Sequence, residues 1–360
     1  MVTISSDTYN NVEFGGPLST LTLQLYELFS ADPLPSVVTI PNEQWKHFIH
    51  MLYKMNGQSD PNFIIENNVR IVEHESHPRK VILALSGGKD STASLLRLID
   101  EGKNVTAYFC KKANLSYPTE EERATEIANL YNVPIVKDEL QRKGKTDFVE
   151  NPVKNLVFLA RMVEWAVRNN CGVIQLGEYY DTGNDKVNVK FDMSDSIDFI
   201  LAYEEAVQSI YPHISFDFMF ESEATAMSYL IYKHKEVLPH IKSCLMPERY
   251  FNRQLTMVTD KYDIEVMPNR CMSCWKCCME YVYLVLWGVI PLNKNYLENK
   301  ILPTFIKKMP EIDRDWSETE EFKKATTKDL LSHVVELDEL QKYIKDPSTI
   351  ELDIHHRITY

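Results

Sequence analysis

A mainly parallel α/β fold is predicted for this 360-residue chain by two observations. Between Arg79 and Leu176, short apolar runs alternate with longer amphipathic stretches, in the order strand, helix, strand, helix. A tight turn, Ser86-Gly87-Gly88-Lys89-Asp90-Ser91, joins one of these strands to a helix, which is where open α/β sheets bind their ligands. Hydrophobic residues make up 44% of the chain, enough to bury a core and exclude wholesale disorder.

Residues 1 to about 78 mix a turn-rich start with two helical patterns, Leu18–Phe29 and Asn42–Met55. Val81–Leu85 is an unbroken apolar run and reads as a strand buried on both faces. The Gly-Gly turn ends it, and Thr92–Glu101 continues as an amphipathic helix closed by Gly102. Asn104–Cys110 is the second strand. Thr119 then caps a helix over Glu120–Tyr131, with Glu122 at the capping-box position. Val133–Lys137 is the third strand, Pro152–Asn169 a long helix and Gly172–Leu176 the fourth strand. Beyond Tyr180 the pattern turns helical, through Ser196–Ser209 and Ala224–Lys235. The charged tail from Asn293 to Tyr360 shows helical stretches near Glu318–Lys324 and Lys328–Ile344. Three parts follow: an accessory region 1–78, an α/β domain 79–290 and a helical extension 291–360.

Against 39 Lys+Arg stand 52 Asp+Glu, a net charge of −13. Such a surface repels phosphate backbones at long range, which excludes a general nucleic-acid coat but leaves room for a local basic groove. The most apolar run, Val282–Leu292, is about half the roughly 20 residues a membrane span needs. The N-terminus has neither the basic start nor the apolar core of a signal peptide. Seven cysteines are an odd number, so no disulfide framework is expected. The expectation is a cytoplasmic protein with no membrane partner. His47/His50 and His74/His77 have no cysteine nearby and read as surface or packing residues.

Two adjacent glycines let the backbone turn sharply and bring its N–H groups close to an anion. The following helix aims its first amides and its positive dipole end at the same point. Ser86, Ser91 and Thr92 add hydroxyl donors, and Lys89 adds a positive charge. Asp90 is the odd member. A carboxylate beside phosphate is repulsive unless a cation lies between them, which makes Mg²⁺ an expected partner. The spacing is not that of a Walker A loop. A plain turn with Asp90 or Ser91 as helix cap is the alternative reading, and the complete hexapeptide after a strand favours the phosphate site.

Cys271, Cys274 and Cys277 recur at i, i+3 and i+6, with Cys244 upstream. Four thiolates can enclose a tetrahedral Zn²⁺, and a closed site of this kind is structural. Cys278 is left over. An iron–sulfur cluster, which four thiolates also suit, and a set of free buried cysteines stay open.

The loop Ser86–Ser91 resembles the PP-loop of the N-type ATP pyrophosphatases. Ser243-Cys244 with Cys271, Cys274 and Cys277 narrows the resemblance to the 7-cyano-7-deazaguanine synthase (QueC) branch. Asn151-Pro152-Val153-Lys154-Asn155 is similar to that branch's Pro-x-Arg-Asn segment, with lysine for arginine. Gly177 with Asp181 is similar to its glycine and aspartate after the fourth strand. The likeness spans roughly residues 79–290. It implies an adenine nucleotide alpha hydrolase-like, Rossmann-like domain with a mostly helical, zinc-bearing C-terminal part. It also implies ATP as co-substrate: a carboxylate or carbonyl oxygen attacks the α-phosphorus, pyrophosphate leaves, and an amine or ammonia displaces AMP. Ser86, Gly87, Gly88, Lys89, Asp90, Ser91 and Thr92 would hold phosphates and Mg²⁺, with Lys154 and Asn155 assisting.

The chain departs from the branch in two places. Phe109-Cys110-Lys111-Lys112 replaces an Asp-Tyr-Gly-Gln segment. Asp192-Met193-Ser194-Asp195-Ser196 replaces Tyr-Pro-Asp-Cys-Arg, the segment associated with the deazaguanine. Asp192 and Asp195, with Gly177 and Asp181, are candidate substrate residues, and the two aspartates read equally as a solvated helix start. The acceptor is a small molecule or a macromolecule such as a tRNA base, a DNA base or a protein terminus. A catalytically silent ATP-binding zinc module is the other reading, and a homodimer stays open.

Overall fold

The structure is a computed structural model that describes residues 2–6, 9–14, 34–55, 57–65, 71, 76–112, 118–140, 154–177, 197–218, 223–242, 244, 248–264, 269–312, 320 and 324. Near the N-terminus, β1 (Val2–Ser6) pairs antiparallel with β2 (Tyr9–Phe14) and with β3 (Val37–Ile40). Parallel to β3 lies β4 (Asn62–Ile65), completing a four-stranded sheet in the order β2-β1-β3-β4. The turn-rich reading of this region misses the sheet. Its two later strands are four residues each, too short for a period of two to stand out.

Helix α1 (Gln44–Met55) starts within two residues of the sequence expectation. It buries Trp45, Phe48, Ile49, Leu52 and Tyr53, the i, i+3, i+4, i+7, i+8 stripe of a helix covered on one side. The helix expected at Leu18–Phe29 lies outside the described residues.

The central sheet has five strands, all parallel: β5 (His77–Ala84), β6 (Asn104–Lys112), β7 (Ile135–Leu140), β8 (Cys171–Leu176) and β9 (Ser215–Phe218). Their spatial order is β7-β6-β5-β8-β9, so the winding direction reverses between β5 and β8. That reversal opens a crevice at the carboxyl ends of the two strands. Helices α2 (Lys89–Asp100), α3 (Pro118–Leu130), α4 (Lys154–Arg168) and α5 (Ile197–Gln208) connect the strands.

Alternate residues of β5 enter different cores. Val81 and Leu83 join a cluster with Leu95 and Leu96 of α2 and Ile127 of α3. Ile82 joins a second cluster with Met162 and Val163 of α4 and Phe199 and Tyr203 of α5. Both faces being covered over Val81–Leu83, this half of the strand needs no polar residue, which is why it appears in the sequence as an unbroken apolar run. Phe48 of α1 enters the second cluster, its ring 5.3 Å from Phe199 and 5.1 Å from Tyr203.

Strand β9 corrects the all-helical reading beyond Tyr180. It has four residues, of which Phe216 and Phe218 are buried and Asp217 exposed, as suits the edge of a sheet covered on one side. The remainder is helical: α6 (Glu223–Lys233), α7 (Glu248–Tyr262), α8 (Trp275–Leu286) and α9 (Leu302–Ile312). Met227, Val258, Tyr281, Tyr296 and Phe305 from this part bury themselves in the first cluster, over α2 and α3. The stretches expected near 318–324 and 328–344 fall outside the described residues except Glu320 and Lys324. Among the described residues, no helix is long and apolar enough to cross a membrane.

Candidate functional site

The Gly-Gly turn lies at the crevice, between the end of β5 and the start of α2. The helix begins at Lys89, three residues earlier than the sequence suggests, with Gly88 as its cap and no side chain capping it. Neither Asp90 nor Ser91 is the cap; both lie in the first turn. Gly87 has φ +73°, and a Cβ on it would lie 2.8 Å from Arg123 Cβ and 2.9 Å from the Ala124 nitrogen. Conformation and space both demand glycine there.

Across the crevice, Gly177 follows β8. A Cβ on it would lie 2.1 Å from the Ala84 oxygen and 2.7 Å from Ser91 Cβ. The two strand ends therefore meet through a missing side chain, and the family-derived site residue Gly177 has a packing reason to be glycine. Ser91 Oγ sits 3.2 Å from Ser86 Oγ and accepts the Ser86 amide at 3.3 Å, while Ser86 Oγ accepts the Gly88 amide at 3.4 Å. These bonds hold the loop folded on itself.

Lys89 does not reach into the crevice as a bare cation. Its side chain is 3% exposed and its Nζ lies 3.0 Å from Asp90 Oδ2. The other Asp90 oxygen, Oδ1, and Thr92 Oγ1 are buried with no hydrogen-bond partner among the described residues. A buried polar atom left unsatisfied costs about 1–3 kcal/mol. Together with the uncapped first amides of α2, these atoms suit an anion and its counter-cation. Lys154 and Asn155 are the first two residues of α4, which follows β7 and so starts at the same edge of the sheet. Asp181, Asp192 and Asp195 lie outside the described residues.

The second site gathers four sulfurs. The Sγ atoms of Cys244, Cys271, Cys274 and Cys277 all lie within 4.8 Å of one another and could hold a metal ion. Cys244 and Cys274 are 3.9 Å apart, Cys271 and Cys277 3.8 Å. Cys271 to Cys274 form a tight turn with Met272 at φ +54°, and Tyr296 Oη donates to the Met272 carbonyl. Cys274 caps α8 and donates its amide to Cys271 Sγ at 3.3 Å; Cys277 follows in the first helical turn. Cys278 is not among the four. It faces the apolar cluster, and burial pushes its thiol up to about 11.

A buried ion pair clamps the site. Arg270 Nε meets Glu280 Oε2 at 2.5 Å, both side chains at most 2% exposed, and Arg270 Nη1 donates to the Leu238 carbonyl at 3.2 Å. The pair thus ties the segment leading to Cys244 to the helix that carries Cys277. Hydrogen bonds from Cys244, Cys271 and Cys277 hold the Cys274 thiol far below its ordinary value, while Cys277 is pushed up by its bonds to the other three. Four adjacent sulfurs cannot all ionise unless a cation joins them.

No protein-family model and no curated protein matches the chain. Among solved structures, it is similar to the U34-tRNA thiolase NcsA from Methanococcus maripaludis with its 4Fe-4S cluster. Identity is 14% and the TM-score 0.31, over 52% of this chain and 62% of that one. The match therefore spans less than two thirds of that enzyme's length.

Two residues at the glycine loop escape the sequence reading. Arg123 of α3 donates from Nη1 to the Lys242 carbonyl, and the Lys242 amide donates to the Gly87 carbonyl at 3.4 Å. The residues are separated by 119 positions, and nothing near either one marks the contact.

Proposed function

We propose that the chain is an ATP-dependent adenylating enzyme of the PP-loop type. The carrying observation is the Ser86–Ser91 turn at the reversal point of a parallel sheet, with Asp90 Oδ1 and Thr92 Oγ1 buried behind it and without a hydrogen-bond partner among the described residues. Loop amides and the start of α2 would receive the pyrophosphate group as it departs, stabilising charge that grows in the transition state. Asp90 would turn Oδ1 towards Mg²⁺, which would screen the carboxylate from phosphate. Lys89, held against Asp90, would keep that carboxylate aimed rather than bind phosphate itself. Lys154 and Asn155 would approach from the head of α4.

The four-cysteine site is proposed to hold structural Zn²⁺. With Zn–S bonds near 2.3 Å, a tetrahedron has sulfur–sulfur edges of about 3.8 Å; here Cys271–Cys277 and Cys244–Cys274 measure 3.8 and 3.9 Å, with all four sulfurs within 4.8 Å of one another. A four-iron cluster would bind each thiolate to a different iron and hold the sulfurs further apart. Four thiolates close the coordination shell, so the ion would pin the chain and leave no position for a reacting water.

The acceptor is proposed to be ammonia or an amine, with a small carboxylate such as 7-carboxy-7-deazaguanine as the oxygen that is adenylated. Residues 1–78 and 291–360 would recognise a macromolecular acceptor if that replaces the small one. The test is a product assay with ATP, Mg²⁺ and ammonia, with and without the deazaguanine. AMP and pyrophosphate that require the deazaguanine are expected, and Asp90→Ala should abolish both. AMP production undiminished in Asp90→Ala would sink the mechanism. Activity only with a tRNA or protein acceptor would move the substrate and keep the chemistry.

A further inference from the structure

The two sites share a strap. The segment that delivers Cys244 to the sulfur cluster first runs past the glycine loop, and two residues before the ligand it is fastened there. The Lys242 amide bonds the Gly87 carbonyl, and the Lys242 carbonyl receives the Arg123 guanidinium. The same Arg123 closes the loop from the other side, since its Cβ fills the space a side chain at Gly87 would need. Burial lowers the Arg123 pKa, against the charges of Glu120 and Cys244, which raise it. One cation thus holds the strap, walls the loop and lies in the field of a sulfur ligand. A shift of Cys244 reaches Lys242 across a single intervening residue, and Lys242 cannot move without releasing Gly87 or Arg123.

We propose that Arg123 is a positioning residue that couples the four-cysteine site to the glycine loop, so that metal occupancy sets the loop's affinity for ATP. The inference rests on the ATP and zinc readings above. Filling the sulfur site fixes Cys244, Cys244 fixes Lys242, and Lys242 with Arg123 fixes the peptide unit of Gly87 that opens the phosphate cradle. Coupling of binding sites is reciprocal, so bound ATP must tighten the metal by the same factor.

The test uses the full chain loaded with zinc. Calorimetry first measures ATP–Mg²⁺ binding. An equilibrium competition with a chromogenic chelator then gives the Zn²⁺ affinity with and without saturating ATP–Mg²⁺. The expected result is a Zn²⁺ affinity at least about fivefold tighter with ATP, the lower end of ordinary coupling between sites. Arg123→Lys should retain part of that factor. Arg123→Ala, or Arg123→Gln should the alanine variant fail to fold, should bind both ligands with the factor gone. A purely packing role for Arg123 would lower stability and leave the factor intact. Equal Zn²⁺ affinity with and without ATP in the wild type would overturn the proposal, as would an undiminished factor in both Arg123→Ala and Arg123→Gln. A zinc-loaded chain that binds no ATP would defeat the underlying ATP reading and this inference with it, and the calorimetry alone separates that failure from a lack of coupling.

Discussion

The glycine loop and the cysteine centre are built on opposite principles. The loop is specified by what is missing: Gly87 and Gly177 leave out the two Cβ atoms that would strike Arg123 and the Ala84 carbonyl. The cysteine centre is specified by what is present, four sulfurs within 4.8 Å and a buried Arg270–Glu280 clamp. One site should tolerate no addition, the other no subtraction. Structural damage at the loop should come from methyl groups, and at the centre from truncations.

The contrast can be broken most severely at the centre. Cys277→Ser should lose the bound metal and lower Tm by on the order of 10 °C or more, since a structural metal contributes directly to folding free energy. Metal analysis and thermal melts check this, and a variant that keeps full metal content would count against the four-ligand site. Next comes Gly177→Ala, which must displace the backbone of β5 because the struck atom is a carbonyl oxygen. Overpacking of this kind costs about 3 kcal/mol, read by denaturant unfolding, and ATP affinity should fall with it. A stability change within error would show that the strand ends can part freely.

The smallest effect sharpens the comparison at the far end of α2. Asp100, the helix's last residue, accepts from Tyr229 Oη at 2.6 Å and lies 3.1 Å from His234 Nε2. Burial alone would raise its carboxyl. The bonds from Tyr229 and His234, with the charges of His234 and Lys233, outweigh burial and hold it below the ordinary value. A lowered folded-state pKa stabilises the fold above the unfolded value, and that stability is lost as pH falls through the folded one. Asp100→Asn should therefore be slightly less stable than wild type at pH 7. The gap should close below about pH 4, near the carboxyl's unperturbed value, and a gap persisting at pH 2 would assign the loss to packing instead.

The legible part of the molecule is the part where one residue's environment is set by its neighbours in sequence. Strand β5 declares itself because burial of Val81, Ile82 and Leu83 on both faces leaves a continuous apolar run. The three cysteines at i, i+3, i+6 declare themselves because a turn and one helical turn bring that spacing to a single point. Strands β3, β4 and β9 stay hidden, since four residues cover barely two periods of a strand. The start of α2 is misjudged because Lys89 and Asp90 look like loop residues until their mutual ion pair is seen. Arg123 in particular is silent: it follows three glutamates and looks like a solvated surface residue, and only the fold brings Lys242 to it.

Helices α2 and α8 each begin at one of the two centres, Lys89 at the loop and Trp275 beside the sulfurs. A helix start carries roughly half a positive charge, set by peptide geometry rather than by any titrating group. In a chain with a net charge of −13, attraction for anions is thus confined to short range, inside a wider field that repels them. The two fields answer differently to dissolved salt. At about 0.15 M ionic strength, exposed charges are screened beyond about 8 Å, whereas partly buried dipoles are screened far less. Moderate salt therefore lowers the outer barrier to an arriving polyphosphate while leaving the inner attraction standing, the reverse of the behaviour of a basic phosphate-binding surface.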